Sequence, residues 1–378
     1  MQDAALNGGR FEVDADITVA RTLDKSFYLD GAVFDLATER IFSRSWHWLG
    51  GLDDVADAGT LAPRVLLPGL LDEPLLLARD SVGTLRCLSN VCTHRGNVLV
   101  AEACRAAHIR CGYHGRQFDL DGRLRGMPGF EGARGFPTAA DDLPVVGFGE
   151  FLGHGYAALQ PVWPLDSWLG EVRRRLPWPD ATPLVADPAR SADYCFDAHW
   201  ALYVENYLEG LHIPFVHPGL NETLALGGYR SELNRGSVLQ LAPASPGQPA
   251  FSTPAGAADD SQRIAAYYWW LFPNLMLNFY PWGLSVNIVE PLGPARTRVL
   301  FRSFVADPAL LDAGAGGALD RVEREDEAVV LGVQRGLRSR LYRGGRYAPR
   351  HESGVHHFHR LLCDFMRPCR SSRFLDPG

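Results

Sequence analysis

Short segments that alternate apolar and polar positions fill residues 45–157, whereas longer stretches of helical period lie outside that window. The segments "HWLGG", "RVLLPG", "PLLLARDSVGTLRCLSN", "QFDLDGRLRG" and "LPVVGFGEFLGHGYAAL" read as strands, and "RDSVG" and "DLDGR" supply hairpin-type turns between them. A small all-β domain is expected there. Beyond "QPVWP" the character changes. "LDSWLGEVRRRL" has helical spacing, "ARSADYCFDAHWALY" is strand-like, and residues 262–304 alternate aromatic and aliphatic positions in "AAYYWWLF", "LMLNFY" and "LSVNIVEPLG". The last long stretch, "LDRVEREDEAVVLGVQRGLRSRL" (319–341), is helical, with Leu319, Val322, Val329, Val330, Val333 and Leu337 on one apolar stripe. The expected class is α+β: a helical lead-in over 1–44 that belongs with the larger domain, a β domain over 45–157, and a larger α+β domain over 158–378.

Composition narrows the setting without naming a function. The chain has 378 residues, 46% hydrophobic and 21% charged, an ordinary globular balance. A net charge of −7 gives no electrostatic ground for a nucleic-acid or anionic-membrane partner. The longest apolar stretch, residues 61–79, is cut by Pro, Gly and charges, so no membrane span is expected. The opening "MQDAALNGGRFEVDADI" lacks the basic and apolar regions of a secretory leader. Seven scattered cysteines argue against a disulfide scaffold and for a reducing compartment, so the expected location is the cytoplasm, with some thiols on metal.

Two motifs carry chemistry. In "VCTHRG" and "CGYHGRQFDLDG", Cys92 and His94 are separated by sixteen residues from Cys111 and His114. Two thiolates and two imidazoles can close a tetrahedral zinc site, but such sites usually open with a Cys pair and close with a His pair. One Cys and one His on each loop suits a two-iron cluster in which one iron takes both sulfurs and the other both nitrogens, the ligation of a Rieske 2Fe-2S centre. Cys87 and Cys104 lie nearby and are expected to be small buried apolar residues.

The second motif is "VENYLEGLHIPFVHP", with Glu209 three residues before His212 and His217 five after it. Pro214 pushes Ile213 toward extended backbone, so the helix is expected to end near His212 and His217 to come from the following turn. A carboxylate from elsewhere would complete the facial site of a non-haem iron oxygenase. Asp326 falls inside the apolar stripe of the 319–341 helix, while Glu323 and Glu325 are expected to flank it. An isolated buried carboxylate is costly, and a metal would compensate it. Glu352, His356, His357 and His359 in "HESGVHHFHR" compete as ligands. Alternation also puts Tyr268, Trp270 and Phe272 on one strand face and Leu275, Leu277 and Phe279 on another. These are core or the wall of a pocket, and Tyr and Trp faces attract quaternary ammonium groups.

Together and in this order, "CTHRG…CGYHG", "NYLEGLHIPFVH" and "EREDEAVVLGVQRGLRS" resemble the catalytic α subunit of the Rieske non-haem iron oxygenases, the ring-hydroxylating oxygenase family. Thr93 stands where that family usually has Arg, outside the ligand set. The resemblance implies a Rieske domain followed by a helix-grip catalytic domain, an antiparallel sheet covered by helices. It implies Cys92, His94, Cys111 and His114 on the 2Fe-2S cluster, and His212, His217 and Asp326 on a mononuclear Fe(II). It also implies a role for Glu209, where the family usually has Asp: a bridge from His212 to a cluster His of a neighbouring subunit. Glu at that position resembles the branch of carnitine and glycine-betaine monooxygenases. The implied assembly is a homotrimer supplied by a separate NAD(P)H-dependent reductase, with or without a ferredoxin.

The expected activity is O2-dependent monooxygenation, by hydroxylation or N-demethylation, of a small molecule such as a quaternary amine or betaine. The expected substrate contacts are Tyr268, Trp270 and Phe279. Aromatic-ring dioxygenation, electron transfer with an inert binding domain, and a zinc-stabilised binding protein are the competing readings.

Overall fold

The computed structural model describes residues 11–176, 183–251, 259–260 and 262–368. Cys369 and the first ten residues, on which part of the leader expectation rests, lie outside them. The chain forms two compact units: one is Ser43–Pro161, and the other joins the segment before it to the segment after it.

The Ser43–Pro161 unit is built on a seven-stranded antiparallel sheet, in the order 47–51, 154–158, 145–151, 85–89, 73–79, 60–66 and 104–105. Its hairpins follow the turn chemistry. Between Glu73–Arg79 and Leu85–Ser89, the Asp80 carboxylate accepts the amides of Val82 and Thr84, and Gly83 takes φ +88°. A three-stranded sheet, 109–110, 117–118 and 124–126, adjoins two loops whose cysteines belong to the core: Cys92 and Cys111 are buried with Leu61, Leu76, Leu88 and Phe118. Cys87 is buried as expected. Cys104 is not: its two-residue edge strand leaves the thiol in water.

The other unit carries a seven-stranded antiparallel sheet in the order 185–196, 296–305, 283–293, 275–280, 264–271, 237–243 and 230–234. The strands at 264–271, 275–280 and 283–291 are buried on both faces, which accounts for their near-continuous apolar composition. Helices supply the cover. The Ser353–Met366 helix lays Phe358 against Trp270 at 5.2 Å and Phe365 against Phe272 at 4.5 Å. His356, His357 and His359 are part of this packing. Their ring nitrogens meet the carbonyls of Asp14 and Asn234 and the hydroxyl of Tyr347, so the competing ligand cluster is structural.

Register decides which side chains face the cavity described below. Tyr268 pairs with Asn278, and Tyr267 pairs with Phe279. Asn278 and Tyr280 therefore share the face of Tyr268, and Phe279 lies on the other side of the sheet.

Candidate metal centres

The two loops of the small unit repeat one design. The amide of Gly96 bonds the carbonyl of Cys92, and the amide of Gly115 that of Cys111, and both glycines take the left-handed conformation at φ +70° and +73°. Each turn aims amides at its sulfur: His94 N–H at Cys92, and those of Tyr113 and His114 at Cys111. Such donors stabilise the thiolate, the form that binds iron. Both sulfurs are buried and touch one another, whereas His94 is half-buried and His114 exposed, with ring centroids 4.7 Å apart. Sulfur is thus grouped with sulfur and nitrogen with nitrogen. That segregation fits a two-iron cluster better than a single tetrahedral ion. Thr93 serves the scaffold: its hydroxyl donates to the carbonyl of Asp141, whose carboxylate also holds the buried Arg116 at 2.8 Å.

In the larger unit the Trp200–Tyr207 helix ends well before His212, and Pro214 does not terminate it. Pro214 instead opens the short Ile213–Val216 turn, where a missing N–H costs nothing, so Ile213 is helical and His212 is the residue before the turn. His217 closes that turn and precedes the Pro218–Thr223 helix. The five-residue gap therefore spans one turn, and it brings the two imidazoles within 5.1 Å, centroid to centroid.

Carboxylates orient both rings. His212 Nδ1 lies 2.6 Å from Glu209 Oε1, and His217 Nδ1 lies 2.7 Å from Glu325 Oε2. Each Nδ1 proton is held there, leaving both Nε2 atoms free to bind metal. Asp326 Oδ1 is 3.0 Å from His217 Nε2 and 3.7 Å from His212 Nε2, and the three ligand atoms lie within 4.8 Å of one another. Asn206 Nδ2 donates to the same Asp326 oxygen at 2.5 Å. Two neutral imidazoles and one carboxylate on one side of the site form a facial set suited to Fe(II).

The 319–337 helix is less apolar inside than its sequence suggests. Its buried positions are Glu323, Val330, Gln334 and Leu337, while Val333 is 43% exposed. Glu323 does not flank the stripe but lies at its centre. Its Oε2 accepts from the Tyr203 hydroxyl at 2.5 Å, and burial pushes its pKa up to about 8 against that hydrogen bond.

A cavity opens beside the triad, walled by Tyr203, Tyr207, Tyr229, Tyr268 and Tyr280 and by the amides of Asn206, Gln240, Asn278 and Asn287. Burial drives all five phenols upward, so they stay protonated. Of the three expected contacts, Tyr268 lines the cavity. Trp270 shares its strand face but is consumed by packing on Phe358, and its indole donates to the carbonyl of Pro273 at 3.2 Å. Phe279 is fully buried on the opposite face. Of the residues that sequence reading missed, Asn278 and Tyr280 were findable from the register of "LMLNFY", and Glu325 is the neighbour of a proposed ligand. Tyr229 carries no local signal.

A sulfur–nitrogen ligand set in one unit and a two-histidine, one-carboxylate set beside a cavity in the other define an iron-dependent oxygenase with an electron-storing centre. Comparison with known proteins places it further. Residues 45–137 match the Rieske 2Fe-2S domain, and residues 184–367 match the ring hydroxylating alpha subunit catalytic domain. The chain is 30% identical over 373 residues to the chloroplastic choline monooxygenase of Arabidopsis thaliana, covering 93% of this chain and 84% of that one. It is 28% identical to the carnitine monooxygenase oxygenase subunit of Escherichia coli K12, covering 92% and 94%. Its fold superposes with a TM-score of 0.70 on a quaternary ammonium Rieske monooxygenase in complex with L-carnitine, at 23% identity, covering 93% of this chain and 97% of that one. The naphthalene 1,2-dioxygenase of a Rhodococcus species shares the fold at a TM-score of 0.68, with 20% identity over 91% and 94% of the two chains.

The chain belongs to the Rieske non-haem iron oxygenases, as a catalytic α subunit. It is an oxidoreductase that acts on a small molecule with O2 and draws its electrons from a separate reductase. When bound, the cluster supplies single electrons and the mononuclear iron activates O2. Among the described residues no helix is long and apolar enough to cross a membrane.

Proposed function

We propose that this oxygenase monooxygenates a small quaternary ammonium compound, by hydroxylation or oxidative N-demethylation. The observation that carries the reading is the cavity wall: five tyrosine rings and three acidic side chains, with no Lys or Arg among its described residues. A permanent cation that cannot donate a hydrogen bond is best held by aromatic faces and negative charge. The relatives named for choline and carnitine support the same substrate class.

The ligand assignments are Cys92, His94, Cys111 and His114 for the cluster, and His212, His217 and Asp326 for the iron. Glu209 acts as the bridge from His212 toward a cluster histidine of a neighbouring subunit in a homotrimer. Supporting that assembly, Phe215 is 82% exposed and Leu211 40% exposed beside His212, an apolar patch that a second copy would cover. The setting is the cytoplasm, with an NAD(P)H-dependent reductase as electron donor, directly or through a ferredoxin.

The test is product formation by the holoenzyme with a surrogate reductase and O2, offered trimethylammonium compounds and simple aromatics in parallel. Turnover of trimethylammonium compounds supports the reading. Turnover of aromatics alone overturns it.

A further inference from the structure

We propose that Glu323 is the anionic partner of the substrate's quaternary ammonium group, so that the cavity prefers cations without a carboxylate, of the amino-alcohol type, over zwitterionic betaines. This rests on the quaternary ammonium reading above and narrows it.

Three acids line the cavity, and two are committed. Glu209 gives Oε1 to His212 Nδ1 at 2.6 Å, and its Oε2 takes the amides of Leu211 and His212. Asp326 faces both ligand imidazoles and accepts from Asn206. Glu323 is different. The residue is 2% exposed, one oxygen is held by Tyr203, and the other, Oε1, is buried with no hydrogen-bond partner among the described residues.

A buried carboxyl oxygen without a donor is costly unless something else compensates it. Burial favours the neutral acid in the empty cavity, and a quaternary ammonium group draws out the carboxylate, its proton leaving to solvent, because fixed positive charge beside that oxygen compensates it without donating a hydrogen bond. The rings of Tyr207, Tyr229, Tyr268 and Tyr280 line the same cavity, where aromatic side chains attract a quaternary cation. A substrate carboxylate, in contrast, would meet the carboxylates of Glu209 and Asp326 with no Lys or Arg in the described wall to answer it. Like charge in a partly desolvated site disfavours such ligands.

Calorimetry on the holoenzyme under nitrogen separates the possibilities, using choline, L-carnitine, γ-butyrobetaine and 3,3-dimethylbutan-1-ol, the uncharged isostere of choline. The wild type is expected to bind choline at least tenfold more tightly than either carboxylate-bearing compound. Glu323→Gln is expected to weaken choline about tenfold and to leave the isostere within twofold, a charge-specific loss that a structural defect would not produce. Equal weakening of choline and its isostere overturns the proposal, as does wild-type binding of L-carnitine or γ-butyrobetaine as tight as that of choline. If Glu323→Gln does not fold, the wild-type ranking and Glu323→Asp, expected to keep the preference, decide. Failure of all three trimethylammonium compounds to bind overturns the quaternary ammonium reading itself, and this proposal with it.

Discussion

His212 gives its Nδ1 proton to Glu209 Oε1 across 2.6 Å, and that contact fixes which ring nitrogen is left for metal. Glu209→Gln keeps the shape but removes the charge. We expect iron content within twofold of wild type and an unchanged cluster spectrum, with turnover lower by roughly 10–100-fold. Metal analysis beside product assays checks this, and wild-type turnover with both metals present would remove Glu209 from any role beyond packing.

Glu325 performs the same service for His217 from the 319–337 helix. Glu325→Ala frees that imidazole to rotate. Iron affinity is expected to fall about 10–100-fold while the visible cluster absorption persists, as read by chelator competition.

The two centres should be separable by mutation, because their ligands belong to different compact units. Cys92→Ser or Cys111→Ser is expected to abolish the visible absorption of the cluster. Asp326→Ala is expected to remove the mononuclear iron and all turnover while the absorption remains. A colourless wild-type protein after anaerobic reconstitution would contradict the cluster assignment.

Tyr268 and Trp270 are two residues apart on one strand face, yet their replacements should differ in kind. Tyr268→Leu removes a ring from the cavity wall, and KM for a trimethylammonium substrate is expected to rise roughly 5–30-fold, equivalent to about 1–2 kcal/mol. Trp270→Leu opens a void against Phe358 and is expected to cost about 3 kcal/mol of stability with KM within twofold. Thermal unfolding and steady-state kinetics on both variants distinguish the roles.

Two buried imidazoles set an acid limit on stability. Burial pushes the pKa of His154 down to about 4 and that of His199 down to about 3. Unfolded, both titrate near the ordinary value of about 6.5. Below that value the unfolded chain binds more protons, so their contribution is complete above about pH 6.5 and is lost as pH falls through about 4 and then 3. The unfolding midpoint should decline steadily below about pH 6, and His154→Gln should flatten the decline between about pH 6 and 4.

Much of this was legible in the sequence, for identifiable reasons. The cluster loops and the His212–His217 pair are local in sequence and exposed by their spacing, whereas Asp326 comes from a distant helix and was marked only by its place on the apolar stripe. Strands of the larger sheet announce themselves by aromatic alternation. The cavity was harder, because its wall depends on register: Tyr268 opposite Asn278, rather than Tyr267, is what sends Tyr280 inward and Phe279 away. Pro214 misled because the same ring that ends one helix can begin the next turn, and only the position of the preceding residues decides between the two. Glu323 was invisible for the opposite reason. Counting apolar residues places the stripe through Val333, while the inward face of the helix is set by the polar pair Glu323 and Gln334.

The 319–337 helix carries Asp326, the proposed iron ligand, Glu325 against His217 and Glu323 on the cavity wall within four consecutive residues. If iron binds there, its occupancy and the rigidity of that turn are expected to be coupled. Chelation should release the turn as a block, and amide hydrogen exchange there should quicken on iron removal while the strands behind it keep their protection. An apo enzyme of this design would hold its fold and lose, first, the shape into which its substrate fits.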